Sequence, residues 1–276
     1  MANKRKFWSN KEIKKIGAEW NFIIGGRNLG KSFCIKIEEG LKKSWAEHKP
    51  TFMLVRRYDL ECKPSHIENY FADVDVEAIT NGQYNIITAK GGTIYFSTYD
   101  FDTGKTKQGI ACGKYVSLSS STHIKSEAFP YITDVINEEI CATKYLDNEV
   151  RLLFNLISTI ARSRKVTIWG IGNTVNRMNP YFNYFGIDFR KLKQGEITLY
   201  KFVSDVIDEN GERQIIKVAV EYCSSDSAEN SLFIGTEASS INDGAFECSA
   251  HPRLANTPDK YDVLYECLLK GELKKK

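Results

Sequence analysis

Along the first two thirds of the chain, short apolar runs of β type alternate with stretches of helical character. Trp20–Ile24, Phe52–Val55, Tyr131–Ile136 and Val166–Ile171 read as strands, and Phe33–Ala46 and Glu149–Ala161 as the helices between them. That rhythm predicts an α/β fold with a mostly parallel central sheet flanked by helices, whose ligands gather at the carboxyl ends of its strands. Tyr84–Thr88, the turn Lys90–Gly92 and Thr93–Ser97 read as a β-hairpin set into the sheet or added to its edge. The polar stretches Thr98–Gln108 and Ser117–His123 read as surface loops.

Near residue 195 the text becomes strand-rich: Ile197–Val203, a DENGE turn at 208–212, then Gln214–Tyr222. A boundary there divides a first domain, 1–195, from a strand-rich C-terminal linker region, 196–276, in which Asp259–Leu269 can form one helix. No internal repeat is visible. Asp205, Asp208, Glu209, Glu221 and Asp226 are the acidic residues from which a metal cluster could be imagined in this region, but several fall at the expected hairpin turn.

Composition narrows the class. At 276 residues, 42% hydrophobic and 26% charged, the chain is an ordinary globular protein long enough to bury a core. No run approaches the roughly 18 apolar residues of a membrane-spanning helix, and the N-terminus carries no signal-like apolar stretch, so a cytoplasmic protein with no membrane partner is expected. The seven cysteines are scattered and never form a CxxC pair, as reduced thiols do. A zinc site would need Cys62/His66 and Cys248/His251 to converge, and thiols packed as small apolar groups are the simpler reading. The net charge is +3, with 27 Lys/Arg against 20 Asp/Glu over residues 1–190 and 11 against 15 over 191–276. A basic excess on the first part suits a polyanionic partner, although a mixed solvated surface explains it nearly as well.

The sharpest signal is Gly25-Gly26-Arg27-Asn28-Leu29-Gly30-Lys31-Ser32, which satisfies G-x-x-x-x-G-K-[ST] between an apolar strand and an apolar-periodic helix. In that context its backbone N–H groups and the helix N-terminus face phosphate oxygens. Lys31 would neutralise β and γ charge, and the Ser32 hydroxyl would ligate Mg²⁺, so the chain is expected to be a P-loop NTPase. Such a site needs an acidic strand tip. Asn137-Glu138 is read there in place of an Asp-Glu pair, with Glu138 aligning the attacking water and Asn137 accepting from the hydration shell of the cation. Asp134 and Glu139 are the rival carboxylates. Asn173, at the tip of the next strand, is a candidate sensor of γ-phosphate or lytic water, although Gly-Asn is also a common turn. Arg162 and Arg164 follow a helix whose dipole alone would favour them, yet they could also reach a neighbouring subunit's site as arginine fingers.

These residues resemble the DNA-packaging ATPases of small tailed phages, relatives of the large terminase subunits among the ring-forming P-loop motors. Arg27 inside the phosphate loop, a strand ending in Arg56-Arg57, the acidic strand near residue 138, and a strand running into GNTVNRMNPYFNYFG at 172–186 carry the resemblance, over roughly residues 20–190. It implies a homomeric ring, pentameric in the best-known relatives, that docks on a capsid portal and drives double-stranded DNA inward with ATP and Mg²⁺. A packaging RNA is a further implied partner. It also implies that Lys31 and Ser32 contact phosphate and cation, that Glu138 is the catalytic carboxylate, and that Arg162 or Arg164 acts in trans with Lys125 as another contact across the ring. Relatives carry a nuclease-like C-terminal domain. The stretch after residue 195 is too short for one, so no nuclease activity is expected, and the chain reads as a motor domain plus linker cut short at its C-terminus. The alternatives are a nucleotide-gated switch, although no Asn-Lys-x-Asp run marks a GTPase, and a small-molecule kinase, for which Arg56 and Arg57 are thin support.

Overall fold

The computed structural model describes residues 7–124, 127–162, 164–174, 179–207, 211 and 213–223. Six strands run parallel at its centre: β1 (Trp20–Gly25), β2 (Phe52–Arg56), β5 (Lys105–Ser117), β6 (Asp134–Glu138), β7 (Thr167–Asn173) and β9 (Arg213–Tyr222). Antiparallel strands extend both edges: β3 (Ile86–Lys90) and β4 (Thr93–Asp100) beside β5, and β8 (Glu196–Ile207) beside β9. The full order is β3-β4-β5-β2-β6-β7-β1-β9-β8. The expected α/β architecture with a mostly parallel sheet is therefore present, and the β3–β4 hairpin is at its edge.

Alternation along the strands builds two cores, one on each face. On β1, Trp20, Phe22 and Ile24 pack against α6 (Glu149–Ala161) and α7 (Pro180–Phe185), while Ile23 belongs to the opposite core with Ile35, Leu41 and Phe71. The second face is covered by α1 (Lys11–Ile16), α2 (Lys31–Ile35), α3 (Lys42–Glu47), α4 (Pro64–Tyr70) and α5 (Val76–Thr80). Between α2 and α3 the helix passes through a π-helical turn, Lys36–Leu41, in which Lys36, Glu39, Gly40 and Leu41 are buried.

Three expectations change. Thr98–Gln108 is not a loop: it forms the end of β4 and the start of β5, because each strand's polar residues pair with the other's in an exposed ribbon, as in Thr98 with Lys107 and Tyr99 with Thr106. The acidic strand begins at Asp134 rather than Tyr131. The boundary near residue 195 falls inside the sheet, since β9 lies parallel to β1 from Trp20/Val218 to Ile24/Tyr222 and completes the same core. Residues 224–276, with the helix expected at Asp259–Leu269, lie outside the described residues.

Candidate active site

The carboxyl tips of β1, β6 and β7 converge where the sequence places its phosphate loop. Gly25 leaves β1 with φ 152°, Asn28 has φ 60° and Gly30 has φ 81°, so the loop turns through three positive-φ positions before α2 begins at Lys31. A Cβ on Gly25 would lie 3.0 Å from that of Cys223 and 3.1 Å from its carbonyl oxygen, so glycine lets the end of β9 pack against the loop. Leu29 is buried in the core and anchors the loop, whereas Arg27 and Asn28 are exposed. The N-terminal segment braces the far side, with Trp8 N donating to the Leu29 carbonyl at 2.9 Å.

Lys31 is 5% exposed, and its ammonium donates to the carbonyls of Gly25 (3.2 Å) and Gly26 and to Asn173 Oδ1 (3.3 Å). Burial pushes its pKa down, with the field of Glu138 among the opposing influences. An almost fully buried cation solvated only by neutral oxygens is poised to exchange them for an anion. Asn173, the last residue of β7, pairs with Gly25 in the sheet and touches the loop lysine.

Across the loop, Ser32 Oγ donates to Glu138 Oε2 at 3.0 Å, and the Tyr70 hydroxyl donates to Glu138 Oε1. Burial pushes the Glu138 carboxyl up; the hydrogen bonds from Tyr70 and Ser32 and the charge of Arg56 hold it down in part. A hydroxyl and a carboxylate oxygen in this arrangement form a hard-oxygen pair of the kind Mg²⁺ accepts.

Asn137 requires a correction. On β6, Ile136 and Glu138 face the helix of the phosphate loop, so Asn137 faces the other side with Val135, toward Tyr181. Its Nδ2 is buried there without a hydrogen-bond partner, on the wrong face of the sheet to stand beside Ser32. The adjacent carboxylates at the strand tip are instead Glu138 and Glu139. Glu139 has φ 60°, a side chain 57% exposed, and Oε1 3.7 Å from Arg56 Nη2. Arg57 fixes its backbone by donating to the Glu139 carbonyl at 2.7 Å, while the same guanidinium pairs with buried Glu149 at 2.7 and 3.0 Å. Asp134 is structural: it pairs with Lys43 at 2.6 Å and accepts from Trp169 Nε1 at 2.9 Å.

Arg162 and Arg164 are not brought to this cluster. They follow α6 at the amino end of the strands, where Arg162 donates to the Glu127 carbonyl (3.1 Å) and Arg164 to those of Phe129, Ile132 and Ile160. Lys125 lies outside the described residues. Glu221 accepts from Trp8 Nε1 at 2.7 Å, while Asp208, Glu209 and Asp226 and the side chain of Asp205 lie outside the described residues. No group of three or more His, Cys, Asp and Glu that could hold a metal occurs among the described residues. The described cysteines are free thiols. Among the described residues, no helix is long and apolar enough to cross a membrane. Tyr70 and the Arg57–Glu149 pair escaped the sequence reading, because nothing local to either announces the partner they meet.

Comparison with known proteins identifies the family of the chain. The family model described as podovirus DNA encapsidation protein (Gp16) matches residues 2–214. The DNA packaging protein of Bacillus phage B103 is 33% identical over 172 residues, 60% of this chain and 48% of that protein. The DNA packaging protein of Bacillus phage phi29 is 28% identical over 190 residues, 67% of this chain and 52% of that protein. The chain thus spans about half the length of the curated relatives it matches. Among solved structures, the N-terminal domain of the DNA packaging ATPase from bacteriophage phi29 superposes with a TM-score of 0.57 at 26% identity, covering 82% of this chain and 99% of that one.

Proposed function

The chain belongs to the podovirus DNA encapsidation protein (Gp16) family, and on that premise we propose that it is an ATP-hydrolysing motor subunit that drives double-stranded viral DNA into a preformed capsid. The observation that carries the reading is the contact of Ser32 with Glu138 across the loop that buries Lys31.

The residues divide the work as follows. The backbone from Gly25 to Gly30 cradles the phosphates, and Lys31 exchanges its carbonyl partners for β and γ oxygens. Ser32 and Glu138 would hold Mg²⁺, which would neutralise charge developing on the phosphates. Glu139, exposed at the strand tip with its backbone fixed by Arg57, aligns the attacking water. This moves the water-aligning role one residue along from the Glu138 that the sequence suggested. Asn173 reports the state of the γ-phosphate through its contact with Lys31. Between the two trans candidates, Arg162 makes one hydrogen bond through an exposed side chain and Arg164 three, so Arg162 is the better placed to leave its own subunit. The assembly is a homomeric ring on a capsid portal, with a packaging RNA as a further partner and Lys125 as another contact across the ring.

The test measures ATP turnover by the full chain with and without duplex DNA, alongside particle mass in a non-hydrolysable ATP analogue. Turnover raised by DNA and a ring-sized particle are expected. DNA-indifferent turnover by a monomer would leave a nucleotide-gated switch, and phosphate transfer to a small acceptor would leave a kinase.

A further inference from the structure

We infer that Tyr70 is a positioning residue for the cation side of this site: its hydroxyl, held in place by Lys36 of the phosphate-loop helix, fixes the Glu138 carboxylate against Ser32. The inference rests on the reading of Ser32 and Glu138 as the Mg²⁺ contacts.

Both oxygens of Glu138 are engaged, by groups from two different elements. Oε2 takes the Ser32 hydroxyl and Oε1 takes the Tyr70 hydroxyl. The terminal torsion of a glutamate is broad, so one hydroxyl alone would leave the plane of the carboxylate free to turn. Two donors on opposite oxygens define that plane. Ser32 is also the residue that would turn its oxygen toward a cation, and at that moment Tyr70 is the donor that still holds Glu138.

Tyr70 is itself held. It is the last residue of α4, and its backbone carbonyl accepts from Lys36 Nζ at 2.7 Å. The same ammonium lies 4.8 Å from the centre of the Tyr70 ring and pairs with Asp73, and the Phe71 ring meets the Tyr70 ring edge-on at 4.9 Å. The Lys36 side chain is only 5% exposed, and the residue opens the π-helical turn that follows α2. Five residues after Lys31 on the same continuous helix, it therefore ties the nucleotide-facing helix to the group that orients the carboxylate. Partners of this kind, one bond removed from a metal ligand, set its orientation, and their loss costs about 10–100-fold in metal affinity or activity.

The experiment titrates Mg²⁺ or Mn²⁺ into the full chain with a fluorescent non-hydrolysable ATP analogue and reads nucleotide binding, not turnover. Tyr70→Phe keeps the ring and removes one oxygen. It is expected to raise the half-saturating cation concentration about 10–100-fold, with nucleotide binding in a chelator unchanged. Lys36→Met should move the midpoint in the same direction, and the double variant should be no worse than the more affected single one, because both changes act through one contact chain. Thermal melting of each variant without nucleotide separates loss of fold from loss of orientation in Lys36→Met; Tyr70→Phe alone decides the case if that variant does not fold. An unchanged cation midpoint in Tyr70→Phe, or additive effects in the double variant, would overturn the inference while leaving the nucleotide site intact. Failure of the wild-type chain to bind the analogue at any cation concentration would instead remove the site reading, and the inference with it.

Discussion

Glu138 and Glu139 share a chemical type and a peptide bond but not an environment. Glu138 is buried with a hydroxyl on each oxygen, whereas the Glu139 side chain is 57% exposed beside Arg56. The two should therefore respond differently to loss of charge. Glu139→Gln is expected to lower single-turnover hydrolysis by about 10²–10⁴-fold while Mg²⁺-dependent nucleotide binding persists. Glu138→Gln should raise the Mg²⁺ concentration that binding requires. Parallel measurements of cation-dependent binding and single-turnover rate check both, and a reversed pattern would return the water-aligning role to Glu138. The sequence showed two adjacent carboxylates and a preceding asparagine, but the face each occupies depends on what covers the sheet, which one strand's text does not reveal.

At the scale of elements, α6 was readable to its ends, Glu149 to Ala161, because its apolar positions recur at helical spacing. Its docking was not readable. Glu149 in its first turn accepts from Arg57 just after β2 and from Tyr181 in α7 at 2.8 Å, both in the interior, and from the half-buried backbone of Leu146 at 2.9 Å. Burial and the Glu149 carboxylate together push the Tyr181 phenol well above its ordinary range. Glu149→Ala leaves the Arg57 guanidinium buried without its counter-ion and should cost about 3–5 kcal/mol, measurable as a lower urea midpoint at unchanged slope. A loss below about 1 kcal/mol, the range of surface pairs, would show that the pair contributes little to holding α6 on the sheet. Arg57 also holds the Glu139 carbonyl, so the same change is expected to disturb the strand tip.

For the whole molecule, the basic excess over residues 1–190 becomes meaningful only with a polyanion as partner. A ring that pulls on phosphates should bind duplex DNA without regard to base sequence. Its affinity should fall steeply with salt, by about 10³-fold between 50 and 200 mM if some six phosphates are neutralised per site. Titration of the assembled particle with labelled duplexes of two unrelated sequences at several salt concentrations checks this. Flat salt dependence, or a strong preference for one sequence, would count against translocation along DNA. At this scale β9 is the main surprise. It lies about 190 residues after β1 yet pairs with it in parallel and packs at Gly25, so strands that read as a linker help shape the phosphate loop.

By itself the sequence determined what is local: a glycine-rich turn between an apolar strand and a helix, the helix at 149–161, and the alternation that makes an α/β sheet. Each depends on contacts or torsions within a few residues. Tertiary structure alone decided which face Asn137 and Glu138 occupy, that Tyr70 meets a carboxylate 68 residues away, that Arg57 meets Glu149, and that β9 completes the sheet beside β1. These depend on which distant segments share a core, and that is settled by burial of the whole set of apolar faces at once rather than by any one stretch of chain.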